Sequence, residues 1–195
     1  MIYGGGCIFV HVPKTGGCAI SHALGGKTKE INTHRPLFGV DKGERFAFGF
    51  IRNPWDRMVS LYHYLCQKTF KRTDNFDQDE VRAAGFKSWL MGEAFYMQED
   101  YLPTGEPWVV GGKGDLPPMQ RRTQMYWLEG CDYIGRFEDL EKEYQTICQK
   151  IDIPAKPLSI INTSQHGHYR DYYDAESREF IAYHFSDDVR FGYTF

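Results

Sequence analysis

The chain has 195 residues, of which 42% are hydrophobic and 25% charged. That suits one globular domain and excludes a disordered or fibrous chain. The formal net charge is −3, so there is no overall basic field of the kind a general nucleic-acid binder carries.

No apolar run approaches the roughly 18 residues of a transmembrane helix. The opening Met1-Ile2-Tyr3-Gly4-Gly5-Gly6 lacks the basic-then-apolar order of a signal peptide. The expectation is a cytoplasmic protein with no membrane or nucleic-acid partner. The local basic clusters, Lys68, Lys71 and Arg72 and then Arg121 and Arg122, read as solvated faces. Cysteines at 7, 18, 66, 131 and 148 form no C-x-x-C pair. They read as reduced, mostly buried thiols. No Cys/His spacing supports a zinc site, so no metal is expected.

In chain order, Cys7 to Val12 is a short apolar run ended by Pro13, and predicts a buried strand. A helix is expected over 17–24 and a second strand over 45–51. Asn53 suits a helix N-cap and Pro54 the first helical position. Trp55, Met58, Val59, Tyr62, Leu65 and Cys66 then recur at helical spacing and predict a helix over 54–67. Residues 67–85 read as a polar surface excursion and 86–97 as helical. The stretch 103–118 is rich in Pro and Gly. It is a candidate lid within a possible insertion over 67–118. A helix near 118–128, a third strand over 133–137 and an amphipathic helix over 138–151 follow. Residues 152–172 read as irregular, and Asp174 as the cap of a last helix reaching about Phe185. Buried strands alternating with helices predict an α/β fold, with a parallel sheet flanked by helices in a single domain over 1–195. Ligands on such sheets sit at the carboxyl ends of strands.

Two post-strand loops carry the chemistry. Pro13-Lys14-Thr15-Gly16-Gly17-Cys18 joins the first strand to a helix. Paired glycines let the backbone approach a ligand, N–H groups at a helix start favour an anion, and Lys14 adds a full charge. This is not a Walker A loop, because the Lys precedes the glycines. The strand at 45–51 ends in Arg52 rather than a magnesium-binding carboxylate. A chain that holds two anions without a metal fits better than an NTPase. In Phe50-Ile51-Arg52-Asn53-Pro54-Trp55-Asp56-Arg57-Met58-Val59-Ser60, Arg52 lies where strand meets helix and Ser60 two helical turns on. Arg suits bidentate phosphate recognition. Arg57 and Asp56 read as a local ion pair.

HVPKTGG near the N-terminus followed by FIRNPWDRMVSLYHY resembles the PAPS-dependent sulfotransferases, most closely the carbohydrate-type branch with the Golgi heparan and chondroitin enzymes and their bacterial relatives. Tyr133 to Leu140, Asn162-Thr163-Ser164, Tyr169 to Tyr173 and Phe191-Gly192-Tyr193 are similar to later parts of that family. The resemblance implies a P-loop NTPase-like sheet and sulfuryl transfer from PAPS to a hydroxyl or amine of a small-molecule or carbohydrate acceptor. It implies that Pro13, Lys14, Thr15, Gly16, Gly17 and Cys18 hold the 5′-phosphosulfate, and that Arg52 and Ser60 hold the 3′-phosphate. Cys18 departs from the family's Thr or Ser, and a thiol is a weaker donor. The length then suggests a near-minimal catalytic domain without a membrane anchor.

Lys14 is the residue expected to stabilise charge on the leaving phosphate. His34 is the expected base, with His63, His11 and Glu30 as alternatives, and His166 and His168 in a segment where an acceptor could bind. Tyr96, Tyr101, Trp108 and Tyr126 are candidates to line the acceptor site. Two other readings stay open: an inactive module that binds PAPS or another nucleotide, and a P-loop small-molecule kinase.

Overall fold

In a computed structural model of the protein, residues 2–3, 6–25, 34, 36–67, 78–92, 122–159 and 166–195 are described. Four strands are β1 (Ile2–Tyr3), β2 (Cys7–Val10), β3 (Phe46–Ile51) and β4 (Tyr133–Arg136). The helices are α1 (Gly17–Ala23), α2 (Pro54–Gln67), α3 (Gln78–Met91), α4 (Met125–Leu128), α5 (Leu140–Lys150), α6 (Ala175–His184) and α7 (Ser186–Arg190). Short 3-10 turns cover Leu37–Gly39, Phe137–Asp139 and Tyr169–Tyr172. The residues group into two compact units, Met1–Asn53 with Gln124–Thr163, and Pro54–Thr123 with Ser164–Phe195.

The first unit holds the sheet, in the order β1-β2-β3-β4. β2, β3 and β4 run parallel, paired from Cys7↔Phe46 and from Phe48↔Tyr133, so the α/β expectation holds. The unforeseen β1 adds an antiparallel edge, Ile2 opposite Ile8. Every residue of β2 is buried, as are Ala47 to Ile51 of β3, which explains their unbroken apolar sequence. Phe9, Phe48 and Phe50 interlock, with ring centroids 5.4 to 6.3 Å apart. Tyr144, Ile147 and Cys148 of α5 close over them. Because the three strands are parallel neighbours, Val10, Ile51 and Arg136 all end at one edge of the sheet. The loops that follow them share that edge.

The second unit is helical and aromatic. α2 keeps its expected bounds and buries Trp55, Met58, Val59 and Leu65. Phe86, Trp89, Tyr62, Tyr172 and Tyr173 pack ring on ring, and Tyr173 meets Phe195 at 5.7 Å. Phe86 and Trp89 are buried and the three tyrosines partly so. Arg57 forms a fully buried ion pair with Asp188 at 3.8 Å. Asp174 caps α6 as expected, its carboxylate accepting from the Ser177 N–H at 2.9 Å.

Several boundaries differ from the sequence reading. The excursion over 67–85 gives way to α3, which starts at Gln78 and breaks at Gly85. Val81 is the only strongly apolar residue in that first half, too little to show a helical period, yet it is 2% exposed. The helix near 118–128 is α4 alone within the described residues, four residues long. β2 stops at Val10, so His11 lies just past the strand. Asp187 and Asp188 lie in the first turn of the unforeseen α7. The stretch 103–118, Glu30, Tyr96, Tyr101, Trp108 and Asn162 to Ser164 lie outside the described residues. Among the described residues, no helix is long and apolar enough to cross a membrane.

Candidate functional site

The site of the first unit begins at the end of β2. The chain turns through Pro13 to Gly16, with Lys14 at φ 68° and Gly16 at φ 76°. A left-handed lysine is uncommon and strained. Left-handed residues within a tight turn are the ingredient of anion-binding backbone nests. Thr15 is buried, and its hydroxyl donates to the Val12 carbonyl at 3.0 Å. That proton closes the turn, so Thr15 shapes the loop through its side chain. Gly16 meets Phe137 and Leu140 so closely that a Cβ there would lie 2.7 Å from Leu140 Cδ2. Gly17 is tighter still, since a Cβ would lie 1.9 Å from the His11 ring. Gly17 is required by contact, and Gly16 by its dihedral. Cys18 follows in the first turn of α1, half-buried.

Two histidines stand beside this loop. His11, 4% exposed, stacks on Phe9 and meets the His34 ring at 4.4 Å. His34 Nδ1 lies 2.8 Å from the His11 carbonyl oxygen. A carbonyl only accepts, so Nδ1 carries the proton and Nε2 is the basic nitrogen of the neutral ring. His11 thus spaces His34 from Gly17 by one ring.

The second loop follows β3. Arg52 is 9% exposed. Its guanidinium lies over the Phe137 ring at 4.3 Å, and Nη1 donates to the Lys14 carbonyl at 3.1 Å. Arg52 thus reaches the main chain of the loop that carries Lys14. The main chain here is held by side chains. The Arg52 N–H donates to Gln124 Oε1 at 2.9 Å, Gln124 Nε2 donates to the Arg52 carbonyl at 2.7 Å, and the Asn53 N–H donates to Glu138 Oε1 at 2.7 Å. At the start of β3, the Asp132 carboxylate accepts from the Ala47 N–H at 2.7 Å and from Lys42 at 2.6 Å. The Ala47 hydrogen bond first, then Lys42, holds that carboxyl below the usual carboxylate range.

Other candidates lie in the second unit. Ser60 is buried on α2. His63, one turn on, is hydrogen-bonded to the Tyr172 hydroxyl at 2.9 Å and stacks on His166 at 5.1 Å. Burial, then the nearby His166, lowers the His63 pKa. His168 stacks on Tyr169 and accepts from the Arg170 N–H. In the first unit, Tyr126 meets Phe38 edge-on at 5.3 Å. Gln124 and Glu138 escaped the sequence reading as site residues. Nothing local marks a buried Gln some 70 positions from the residue it holds.

Among the described residues, no group of three or more His, Cys, Asp or Glu is placed to hold a metal ion. No curated protein and no solved structure matches the chain significantly. A family model described as the sulfotransferase family matches residues 19–188, starting just after the first loop and including β3, Arg52, β4 and α5. With most of its length matched, the chain belongs to the sulfotransferase family.

Proposed function

We propose that this protein moves a sulfuryl group from PAPS to a hydroxyl or amine of a small-molecule or carbohydrate acceptor, with residues 1–195 serving as one catalytic domain. The observation that carries the reading is the Arg52 guanidinium reaching the Lys14 carbonyl at 3.1 Å, so that the two motif loops join at the carboxyl edge of a parallel sheet. Family membership supports sulfuryl transfer in general. The residues present suit a nucleotide with anionic groups at two ends. A strained turn with two glycines offers backbone N–H groups, Lys14 belongs to that turn, and the Arg52 guanidinium reaches its main chain.

PAPS supplies an activated sulfur whose bond to the phosphate breaks as the acceptor attacks in line. Lys14 meets the charge that develops on that phosphate. The loop N–H groups from Thr15 to Cys18 orient it. Gly17 leaves the room that the His11 ring fills, and Pro13 fixes the entry to the turn. Arg52 holds the 3′-phosphate, and Ser60 is assigned to the same group on the motif alone. His34 accepts the acceptor's proton at Nε2, since Nδ1 is committed to His11. No metal takes part in this scheme. The five free thiols support a reducing, cytoplasmic setting.

The test is an acceptor screen with radiolabelled PAPS, run alongside magnesium and ATP. Label transferred to any sugar, phenol, alcohol or amine supports the proposal. Tight nucleotide binding with no transfer to any acceptor contradicts it in favour of an inactive module. Magnesium-dependent ATP turnover contradicts it in favour of a kinase.

A further inference from the structure

We infer that Gln124 and Glu138 are positioning residues that aim Arg52 at the 3′-phosphate. This inference rests on the 3′-phosphate reading of Arg52 given above.

The ladder between β3 and β4 ends at Ile51 opposite Arg136. Beyond that pair β4 turns into the 3-10 segment Phe137–Asp139. The main chain of Arg52 has run past its strand partner while still buried. A buried N–H or C=O without a partner is costly, so something must replace the missing strand. Gln124 does so. One primary amide carries both an acceptor and a donor, as a peptide group does. Its Oε1 takes the Arg52 N–H at 2.9 Å and its Nε2 gives to the Arg52 carbonyl at 2.7 Å. Gln124 is itself 0% exposed, so this pairing is shielded from water. Glu138 repeats the device one residue on, at the Asn53 N–H.

The consequence lies in the Arg52 side chain. With its N–H, its carbonyl and the next N–H all fixed, the Cα–Cβ direction is fixed. The guanidinium then lies over the Phe137 ring and reaches the Lys14 carbonyl. A planar fork whose plane is preset loses less on recognising a phosphate bidentately. Without the clamp, the ordering of that side chain would be charged against ligand binding.

The experiment compares dissociation constants for 3′-phosphoadenosine 5′-phosphate and adenosine 5′-phosphate by calorimetry. Their ratio reads the 3′-phosphate contact and does not change with the fraction of folded protein. Arg52→Ala should bring the ratio close to one. Gln124→Ala, Gln124→Glu and Glu138→Ala should each lower it about tenfold, the size of one ordered side chain. Glu138→Gln, which keeps an accepting oxygen, should restore it. Glu138 is exposed, so its variants report even where a Gln124 variant does not fold. A collapsed ratio in Arg52→Ala with normal ratios in all three clamp variants overturns the inference and leaves the reading of Arg52 intact. An unchanged ratio in Arg52→Ala overturns that reading and the clamp's role with it.

Discussion

After β2 the chain turns on its own backbone. Lys14 and Gly16 adopt left-handed dihedrals, the Thr15 hydroxyl closes the turn on Val12, and Gly17 leaves room for His11. After β3 the chain is instead held from outside. Gln124 and Glu138, from segments more than 70 positions away, bind the main chain of Arg52 and Asn53. Both loops lie at the same edge of one sheet, and Arg52 of the second reaches the main chain of the first. A backbone-built loop presents N–H groups to a ligand that lies against it. A side-chain-held loop presents a long side chain from a fixed root. A nucleotide with phosphates at two ends has use for both kinds of loop.

Each loop can be broken on its own terms. The largest effect is expected at the histidine beside the first loop. His34→Ala should lower turnover roughly 10²–10⁴-fold while 3′-phosphoadenosine 5′-phosphate still binds. Turnover near the wild-type value would remove His34 as the base and turn attention to His63. Lys14→Ala comes next, with turnover down roughly 10²–10³-fold in single-turnover assays. A change in binding alone would place Lys14 in ground-state recognition instead.

Gly17→Ala attacks the backbone design directly. With a Cβ landing 1.9 Å from the His11 ring, the loop or the ring must move. A loss of about 1–3 kcal/mol in urea unfolding is expected. The double variant Gly17→Ala, His11→Ala should recover part of that loss relative to His11→Ala alone. Additive losses would show that the two positions do not compete for space. Thr15→Val is milder. It removes the proton given to Val12 and should cost about 1 kcal/mol of stability. Nucleotide affinity should hardly change. A large loss of affinity would mean that the hydroxyl serves the phosphate after all.

The smallest effect lies in the second unit. The pKa of His63 is lowered in the folded chain, so the unfolded chain takes up that proton first as pH falls. Stability from this group is therefore present above the ordinary histidine range near 6.5 and declines as pH falls below it. The neighbours that face it are His166, Tyr172 and Tyr62. His63→Gln should flatten the stability profile between about pH 5 and 7. An unchanged slope in that variant would assign the dependence to other groups.

The first loop was legible in the sequence because its design is local. Two glycines, a lysine and the preceding strand are contiguous, and each limits the backbone at its own position. α2 was legible for the same reason, through Pro54 and an apolar stripe that repeats every turn. The clamp on β3 was hidden because hydrogen-bond partners far apart in the chain leave no periodic trace. A buried Gln looks like any surface Gln. The ion pair of Arg57 with Asp188 was hidden in the same way, since Asp188 lies in a helix too short and too polar to announce itself. The β1 edge was hidden too, since two residues are too few to show alternation.

The most direct test of the central claim is a calorimetric titration of the unmodified protein with 3′-phosphoadenosine 5′-phosphate and with adenosine 5′-phosphate. Two charge-assisted hydrogen bonds from Arg52 at about 1.5 kcal/mol each predict tighter binding of the first by about 10²-fold. Equal affinity for the two nucleotides, or no binding of either, would contradict the account.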